Sequence, residues 1–270
     1  MPVNIDDEFT FSVEDNEYVI KKKDASEKKP VKNFIHGPSI GIGTLVTAIF
    51  VIGIFFALNG ITGEDQPLIE TQITETDTKQ KPTPISDEVF FGNGSPILGN
   101  PNASITLIEF GDYQCHFCNV YFKNTQHKIL ENFVVTGKVN IIFKDFTIIG
   151  PDSIGAAHAT HCANEQNKYW EYHNILYNNW AGENNGWAAK QNLGKYANDI
   201  KLDSDLFLQC MNSNNYKDLI SQSNDDAQTL GISGTPAFFI VDHETSEVRT
   251  ISGAQPYEVF ERVFNSIIEK

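Results

Sequence analysis

The sequence predicts an α/β domain, with a mixed central sheet flanked by helices, that is preceded by one transmembrane helix. Two observations lead to this prediction. An uncharged run of about 19 residues, "IGIGTLVTAIFVIGIFFAL", occupies residues 40–58 and has the length of a membrane-spanning helix. After residue 88, short β-branched and apolar runs alternate with segments of helical periodicity, in the order β-α-β, helices, β-β-α.

The overall charge excludes one class of partner. The chain has 270 residues, and 20 basic against 35 acidic side chains give it a formal net charge of −15. Because a nucleic-acid-binding surface requires clustered Lys and Arg, we expect no nucleic-acid partner. Four cysteines are too few for a small disulfide scaffold, but their even number permits two bridges.

The first 59 residues predict a tail and an anchor. Residues 1–38 carry charges of both signs and few periodic apolar side chains, which predicts a disordered tail. Residues 39–59 are expected to span the membrane, because about 19 residues rise roughly 28 Å as a helix. A signal peptide has a shorter apolar core nearer the N-terminus, and a helix buried in a soluble domain normally has a polar face, so both alternatives fit less well.

The lysines on either side of this run predict its orientation. Cytoplasmic flanks carry an excess of Lys and Arg, and after the run no such residue occurs before Lys79. The lysines before the run are Lys21, Lys22, Lys23, Lys28, Lys29 and Lys32. The tail is therefore expected in the cytoplasm and the rest of the chain in the extracytoplasmic space, where disulfides form.

The remaining chain predicts a stalk and one domain. Residues 60–87 are rich in Thr, Glu, Gln and Pro, which predicts a flexible stalk. The domain is expected at residues 88–270, with a helical insertion at about 152–230. Apolar and β-branched runs predict strands at 104–110, 138–146, 237–241 and 247–252, and helical spacing predicts helices at 118–134, 153–211, 216–231 and 256–270.

The stretch "FGDYQCHFCNVYF" places Cys115 and Cys118 where a predicted strand ends and a helix begins. Unpaired N–H groups and the helix dipole favour an anion there, and the thiolate is the nucleophilic form of cysteine. We expect Cys115 at the exposed tip and Cys118 one turn further in. Cβ atoms three residues apart on a helix lie about 5–6 Å from each other, so a modest adjustment closes a disulfide. This spacing favours redox chemistry.

A zinc site is the alternative for this cysteine pair, because CxxC pairs also bind zinc together with two further ligands. The candidates for those ligands are His158, His161 and Cys162 in "HATHC". Ordinary positions on an amphipathic helix explain the two histidines more simply, so we expect no metal.

Two segments together resemble a known family. The stretch "SPILGNPNASITLIEFGDYQCHFCNVYF", followed more than one hundred residues later by "GISGTPAFFI", resembles the DsbA-like branch of the thioredoxin superfamily. The resemblance covers about residues 90–268 and implies a thioredoxin fold with a helical insertion. It implies a protein thiol–disulfide oxidoreductase that needs no bound organic cofactor beyond its redox-active disulfide. Its implied partners are exported protein thiols and disulfides as substrates, and a membrane quinone-linked protein that reoxidises it.

The resemblance also implies residue roles. Cys115 matches the nucleophilic cysteine and Cys118 the resolving cysteine. Pro236 in "GTP" matches a cis-proline whose loop lies against the disulfide, and Thr235 would offer backbone groups to an extended substrate. Glu109 matches a buried carboxylate that moves the proton of the resolving cysteine, and a lone acid in an apolar strand would have a raised pKa. The alternative for Glu109 is a strand edge that faces solvent.

The chain departs from the family pattern between the cysteines. Many relatives carry Pro-Phe there, whereas this chain has His116 and Phe117. A cationic imidazole beside Cys115 would stabilise the thiolate and make the disulfide more oxidising. Phe117 is expected to pack against substrate rather than to react.

The other two cysteines, Cys162 and Cys210, fall in separate parts of the predicted insertion. Some relatives carry a second disulfide between two helices, so the resemblance implies a structural bridge between them. The alternative is two buried thiols that act as small hydrophobic groups. Lys144, in the second predicted strand, is expected to be solvated.

These observations predict a membrane-anchored, extracytoplasmic enzyme that introduces or exchanges disulfides in exported proteins. Two alternatives stay open. The protein could run in the other direction, as a reductase or isomerase, because direction depends on reduction potential. It could also be a thioredoxin-like binding module without catalysis.

Overall fold

The computed structural model describes residues 9–14, 17–22 and 86–270. The predicted transmembrane helix at 39–59 lies outside these residues, and so does the predicted stalk apart from residues 86 and 87. Within the described ranges, no helix is both long enough and apolar enough to cross a membrane.

The structure differs from the predicted disorder of residues 1–38 at two short segments. Phe9–Glu14 forms β1 and Glu17–Lys22 forms β2, and the two strands pair antiparallel. The sequence carries a signal for this hairpin, because apolar and polar residues alternate through "FTFSVE". Disorder was predicted from the charges of residues 1–38, without regard to this alternation.

A four-stranded mixed sheet forms the centre of the domain and confirms the predicted α/β fold of this part of the chain. The strand order is β4-β3-β5-β6, with β3 parallel to β4 and β5 antiparallel to both of its neighbours. The strands are rich in β-branched and aromatic residues, which fit a pleated, buried surface. Their bounds are β3 (Ile105–Gly111), β4 (Val139–Asp145), β5 (Ala237–Asp242) and β6 (Val248–Ser252).

Every residue of β3 and β4 is buried, because helices cover both faces of this sheet. Two π-helical segments, Phe122–Gln126 and Leu130–Val134, follow the helices at His116–Tyr121 and His127–Ile129, so that residues 116–134 form one helical run. The helices of the described part are α1 (Asp87–Phe91), α2 (His116–Tyr121), α3 (His127–Ile129), α4 (Pro151–Asn164), α5 (Tyr169–Asn178), α6 (Lys190–Asp199), α7 (Ser204–Ser213), α8 (Lys217–Thr229) and α9 (Tyr257–Ile268).

The insertion differs from the sequence prediction in one respect. A single helical stretch was expected at 153–211, and the structure has four helices there, α4 to α7. The backbone is left-handed between successive helices, at Asn167 (φ 56°), Asn184 (φ 52°) and Lys201 (φ 61°). This conformation ends a right-handed helix, and asparagine tolerates it better than most residues.

The two faces of the sheet bury different sets of side chains. Side chains alternate along a strand, so Glu109 shares a face with Leu107, and Ile108 and Phe110 lie on the other face. The face of Glu109 is the larger core, which includes Cys115, Cys118 and apolar residues of α9. The fold therefore brings Glu109 and the cysteine pair to the same face of the sheet.

Candidate active site

The cysteine pair lies at the junction between β3 and α2. Cys115 is the residue that precedes α2, with an extended backbone (φ −64°, ψ 127°), and its N–H donates to the Asp112 carbonyl over 3.0 Å. Cys118 lies in the first turn of α2, on the buried side. Both cysteines are free thiols in this structure, so it represents the reduced form of the pair.

The expectation that Cys115 occupies an exposed tip is wrong. Cys115 is only 4 % exposed, and Cys118 is completely buried. The segment that contains Thr235 packs against the Cys115 thiol, which donates a hydrogen bond to the Thr235 carbonyl over 3.4 Å. The peptide bond between Thr235 and Pro236 is cis. The CxxC pair and the "GTP" segment, 120 residues apart in sequence, thus meet in one site.

The two thiols have opposite pKa shifts. The pKa of Cys115 is lowered to about 6, chiefly because the Cys118 thiol donates a hydrogen bond to the Cys115 sulfur. The Thr235 side chain and the N–H groups of Phe117 and Cys118 lower it further, whereas burial opposes ionisation. The pKa of Cys118 is raised well above its ordinary value, first by burial and then by its interaction with Cys115. Near neutrality, Cys115 is therefore a thiolate and Cys118 a thiol.

The Thr235 hydroxyl is a second donor to this thiolate. Its oxygen is buried, and while Cys115 is an uncharged thiol it has no hydrogen-bond partner among the described residues. When Cys115 ionises, its sulfur becomes the acceptor that this hydroxyl lacks. A hydrogen bond to a charged group contributes about 1.5–3 kcal/mol, so the ionised form of Cys115 gains from it.

We expect Thr235→Val to raise the pKa of Cys115 by about one unit, because valine keeps a similar shape and removes the hydroxyl donor. The change is measured from the ultraviolet absorbance of the thiolate against pH. Thr125→Val is the matched control, since the Thr125 hydroxyl is bonded to the Gln255 carbonyl instead. A Cys115 pKa that stays the same in Thr235→Val would contradict this role.

Glu109 lies in the middle of the sheet, near the cysteines. Its side chain is buried, with an exposed fraction of 2 %. Burial raises the pKa of Glu109 to about 8, and the negative charge of Cys115 raises it in the same direction. The carboxyl is therefore protonated at neutral pH and can give up its proton close to neutrality.

We expect Glu109→Gln to slow the steps that protonate or deprotonate Cys118 by about a hundredfold, because an amide cannot transfer a proton. In the wild type, the rate of these steps should change with pH around the Glu109 pKa of about 8. The variant should lose this dependence. Stopped-flow measurement of oxidation and reduction rates against pH tests it, and an unchanged profile would refute the role.

The same substitution has a defined effect on stability. Glu109 holds its proton in the folded state up to about pH 8, whereas its ordinary pKa is 4.5. The contribution of Glu109 to stability should therefore fall as pH rises from about 4.5 to about 8, since the folded state binds the extra proton, whereas the lowered pKa of Cys115 acts in the opposite direction above about pH 6. Glu109→Gln should remove this decline, and urea unfolding at several pH values measures it.

His116 and Phe117 lie at the surface beside Cys115. Phe117 is 59 % exposed, so it presents an apolar ring at the rim of the site. The ring of His116 lies 5.5 Å from the ring of Trp180. The donors that lower the Cys115 pKa are Cys118, Thr235 and backbone N–H groups, so we attribute the shift to them rather than to a His116 imidazolium.

A disulfide joins Cys162 in α4 to Cys210 in α7. The S–S distance is 2.00 Å, and the two Cα atoms lie 5.6 Å apart. Both residues are buried within the helical insertion. The bridge links two helices of the insertion, and Cys115 and Cys118 stay free to pair with each other.

The structure does not bring together the residues of the zinc alternative. Among the described residues, the one cluster of metal-ligating type is His158, Cys162 and Cys210, and its two cysteines are bonded to each other. His161 instead pairs with Asp145 over 2.8 Å. The CxxC pair is not part of this cluster.

Lys144 is not solvated, contrary to the sequence-based expectation. Its side chain has an exposed fraction of 0 % and pairs with Asp226 over 2.8 Å. Its register partner on β3 is Phe110, so Lys144 lies on the opposite face of the sheet from Glu109. Burial lowers the pKa of Lys144, and Asp226 opposes this shift. Lys144 therefore belongs to the packing of α8 and not to the site.

Asp112 is a site residue that the sequence analysis missed. Its buried carboxylate accepts hydrogen bonds from the N–H groups of Gln114 (2.8 Å), Ile148 (2.9 Å) and Ile149 (3.0 Å). It thereby ties the segment before Cys115 to the loop that follows β4. An acid placed directly after a buried strand was the available signal.

Comparisons with known proteins agree with this geometry. A family model described as Thioredoxin matches residues 92–257, which is more than half of the chain. The probable disulfide bond formation protein D of Bacillus cereus is 27 % identical over 158 residues, covering 57 % of this chain and 73 % of that protein. The disulfide bond formation protein D of Bacillus subtilis is 26 % identical over 152 residues, covering 55 % and 68 %.

Solved structures show the same fold. Wolbachia pipientis α-DsbA1 is 27 % identical with a TM-score of 0.58, and the match covers 64 % of this chain and 90 % of that one. Oxidised BdbD of Bacillus subtilis has a TM-score of 0.59 at 22 % identity, covering 65 % and 93 %, which is a likeness of fold alone. We conclude that the chain belongs to the thioredoxin family, as a DsbA-like thiol–disulfide oxidoreductase.

Proposed function

We propose that this enzyme is a membrane-anchored, extracytoplasmic dithiol oxidase that uses the Cys115–Cys118 disulfide to introduce or exchange disulfides in exported proteins. It requires no bound organic cofactor, because the electrons move between sulfur atoms. The observation that carries the proposal is the Cys115 thiol at the β3–α2 junction, hydrogen-bonded to Thr235 and with its pKa lowered to about 6.

The chemistry consists of two thiol–disulfide exchanges. A substrate thiolate attacks Cys115 in the enzyme disulfide, the bond between the two enzyme sulfurs breaks, and Cys118 leaves. The Cys118 sulfur takes up a proton, which Glu109 supplies. A second substrate thiolate then attacks the substrate sulfur of the mixed disulfide and expels Cys115. Two substrate thiols become one disulfide, and the enzyme receives two electrons.

The stability of the leaving thiolate supports the oxidising direction. A thiol of low pKa leaves faster, and its ionised form stabilises the reduced enzyme. A reduced enzyme that is stabilised has a more oxidising disulfide. A reductase requires the opposite bias, which is a disulfide that is less oxidising.

A groove at the cis-proline segment is suited to an extended substrate segment. It is lined by residues 230–239 and 250–253, which include Thr235 and Pro236. Backbone groups in such a groove pair with a polypeptide in the manner of an added strand. Phe117, exposed at the rim, offers an apolar contact for the same segment.

The proposal of a membrane anchor is based on features of the sequence. The apolar run at residues 40–58 and the lysines before it favour a single-pass helix at 39–59, with the tail in the cytoplasm. This anchor would hold the enzyme close to a membrane quinone-linked oxidoreductase, which reoxidises the pair by accepting two electrons.

An oxidation assay tests the activity. Full-length protein in detergent, with its disulfide formed, should restore activity to a reduced, unfolded protein that depends on disulfides. An insulin-reduction assay run in parallel measures the opposite direction. Fast insulin reduction with no oxidative refolding would overturn the oxidase assignment, and inactivity in both assays would favour a binding module.

A fusion experiment tests the orientation independently. Alkaline phosphatase folds only outside the cytoplasm, so a fusion after Lys270 should be active, whereas a fusion after residue 38 should be inactive. The reverse pattern would refute the extracytoplasmic location, even with the chemistry intact.

A further inference from the structure

The loop between α5 and α6 packs against the active site. The Trp180 indole N–H donates to the Gln114 carbonyl over 2.8 Å. The Asn184 N–H donates to the Gln114 side-chain oxygen over 2.9 Å, and the Asn184 amide donates to the Ile149 carbonyl over 3.1 Å. The loop at residues 180–186 is thus docked on the residue before Cys115.

One carboxylate of this loop is held beside the nucleophile. Glu183 Oε1 accepts a hydrogen bond from the His116 N–H over 2.9 Å. His116 follows Cys115 directly and supplies the first amide of α2. The next two amides, those of Phe117 and Cys118, are the backbone donors that lower the Cys115 pKa. Glu183 therefore accepts the hydrogen bond of one of the three backbone N–H groups at the start of α2, which would otherwise be free to stabilise the Cys115 thiolate.

The groups around Cys115 explain why this carboxylate matters. Cys118 and Glu109 are the titratable groups that interact with the Cys115 sulfur, and Thr235 supplies uncharged donors. His116 is the next residue in the chain, and Glu183 binds its N–H. Glu109 is protonated near neutrality, because its pKa is raised to about 8. Glu183 is an exposed carboxylate. A fixed negative charge close to a thiolate disfavours its ionisation.

We propose that Glu183 is a positioning residue that tunes the enzyme: its carboxylate, held on the His116 amide, makes the Cys115–Cys118 disulfide less oxidising than the motif and helix alone would make it. The inference rests on the proposed function in that Cys115 and Cys118 form the redox pair. It adds a residue of the insertion, 67 positions away from His116, to the control of that pair.

Glu183→Gln is the informative variant, because glutamine keeps a carbonyl oxygen for the His116 N–H and removes the charge. We expect the Cys115 pKa to fall by about half to one unit. The equilibrium with glutathione should move up to about tenfold toward reduced enzyme, which corresponds to about 30 mV. Thiolate absorbance against pH and a glutathione titration of the full-length protein measure the two shifts.

Two further variants separate charge from structure. Asp205→Asn removes another exposed carboxylate in the first turn of a helix, α7, and should change neither quantity. Glu183→Ala removes both the acceptor and the charge, so it should lower the Cys115 pKa and also the thermal unfolding temperature. An unchanged or raised Cys115 pKa in Glu183→Gln would overturn the inference.

The failure of the proposed function would look different. Wild-type protein whose Cys115 and Cys118 do not form a disulfide in the glutathione titration would overturn the redox pair itself. That result is read on the wild type, before any Glu183 variant is compared.

Discussion

A Cys115→Ser variant is expected to lose all dithiol-oxidising activity, down to the uncatalysed background. The enzyme disulfide cannot form without the Cys115 sulfur, and a serine hydroxyl at this position neither ionises near neutrality nor accepts electrons from a thiolate. The loss is measured as the rate of oxidative refolding of a reduced substrate protein. Circular dichroism of the variant should match the wild type, since the side chain changes by one atom.

Cys118→Ser separates the two cysteine roles. Cys118 is completely buried and has a raised pKa, so it should resolve mixed disulfides rather than start them. The variant should accumulate covalent adducts between Cys115 and substrate proteins, which a non-reducing gel resolves. If Cys118→Ser formed no adducts and Cys115→Ser formed them instead, the assignment of nucleophile and resolving cysteine would be reversed.

The second large effect concerns the bridge between Cys162 and Cys210. Replacing both cysteines with serine should lower the free energy of unfolding by about 2–4 kcal/mol, because the bridge closes a loop with a sequence separation of 48. Two serine hydroxyls in this buried position add a further cost. Urea unfolding of the oxidised wild type and of the double variant measures the difference.

The control for this prediction is the redox site. The pKa of Cys115 should be the same in the double variant, because its causes are Cys118, Thr235 and backbone N–H groups rather than the bridge. A Cys115 pKa that moved with the bridge would show that the bridge also influences the nucleophile, through the loop that carries Glu183. Equal unfolding free energies in both proteins would refute the stabilising role.

Local patterns determined much of the fold. The strand at 104–110 was expected from "SITLIEF", and the structure has Ile105–Gly111; the last helix was expected at 256–270, and the structure has Tyr257–Ile268. In that helix Tyr257, Phe260 and Phe264 are buried at helical spacing, which the sequence displays directly. Periodicity of this kind involves only residues within a few positions of each other, so it can be recognised without knowledge of the tertiary structure.

Contacts between distant segments decided the remainder. Lys144 was expected in solvent, and its burial depends on Asp226, which is 82 positions away. Cys115 was expected at an exposed tip, and the Thr235 segment covers it. Neither the burial of Lys144 nor that of Cys115 can be predicted from the residues next to them in sequence. The hairpin of β1 and β2 was also not predicted, but in this case the alternating pattern was present in the sequence.

The sequence by itself determined the order of the four central strands relative to the helical segments, the CxxC pair at a strand–helix junction, and the resemblance that implies disulfide exchange. Only the tertiary structure decided how the thiols differ in acidity, that Glu109 is buried rather than facing solvent, and that Glu183 binds the N–H of His116. The physical reason is that a pKa depends on burial and on the donors and charges within a few ångströms. In a folded chain, those neighbours come from segments that are far apart in sequence.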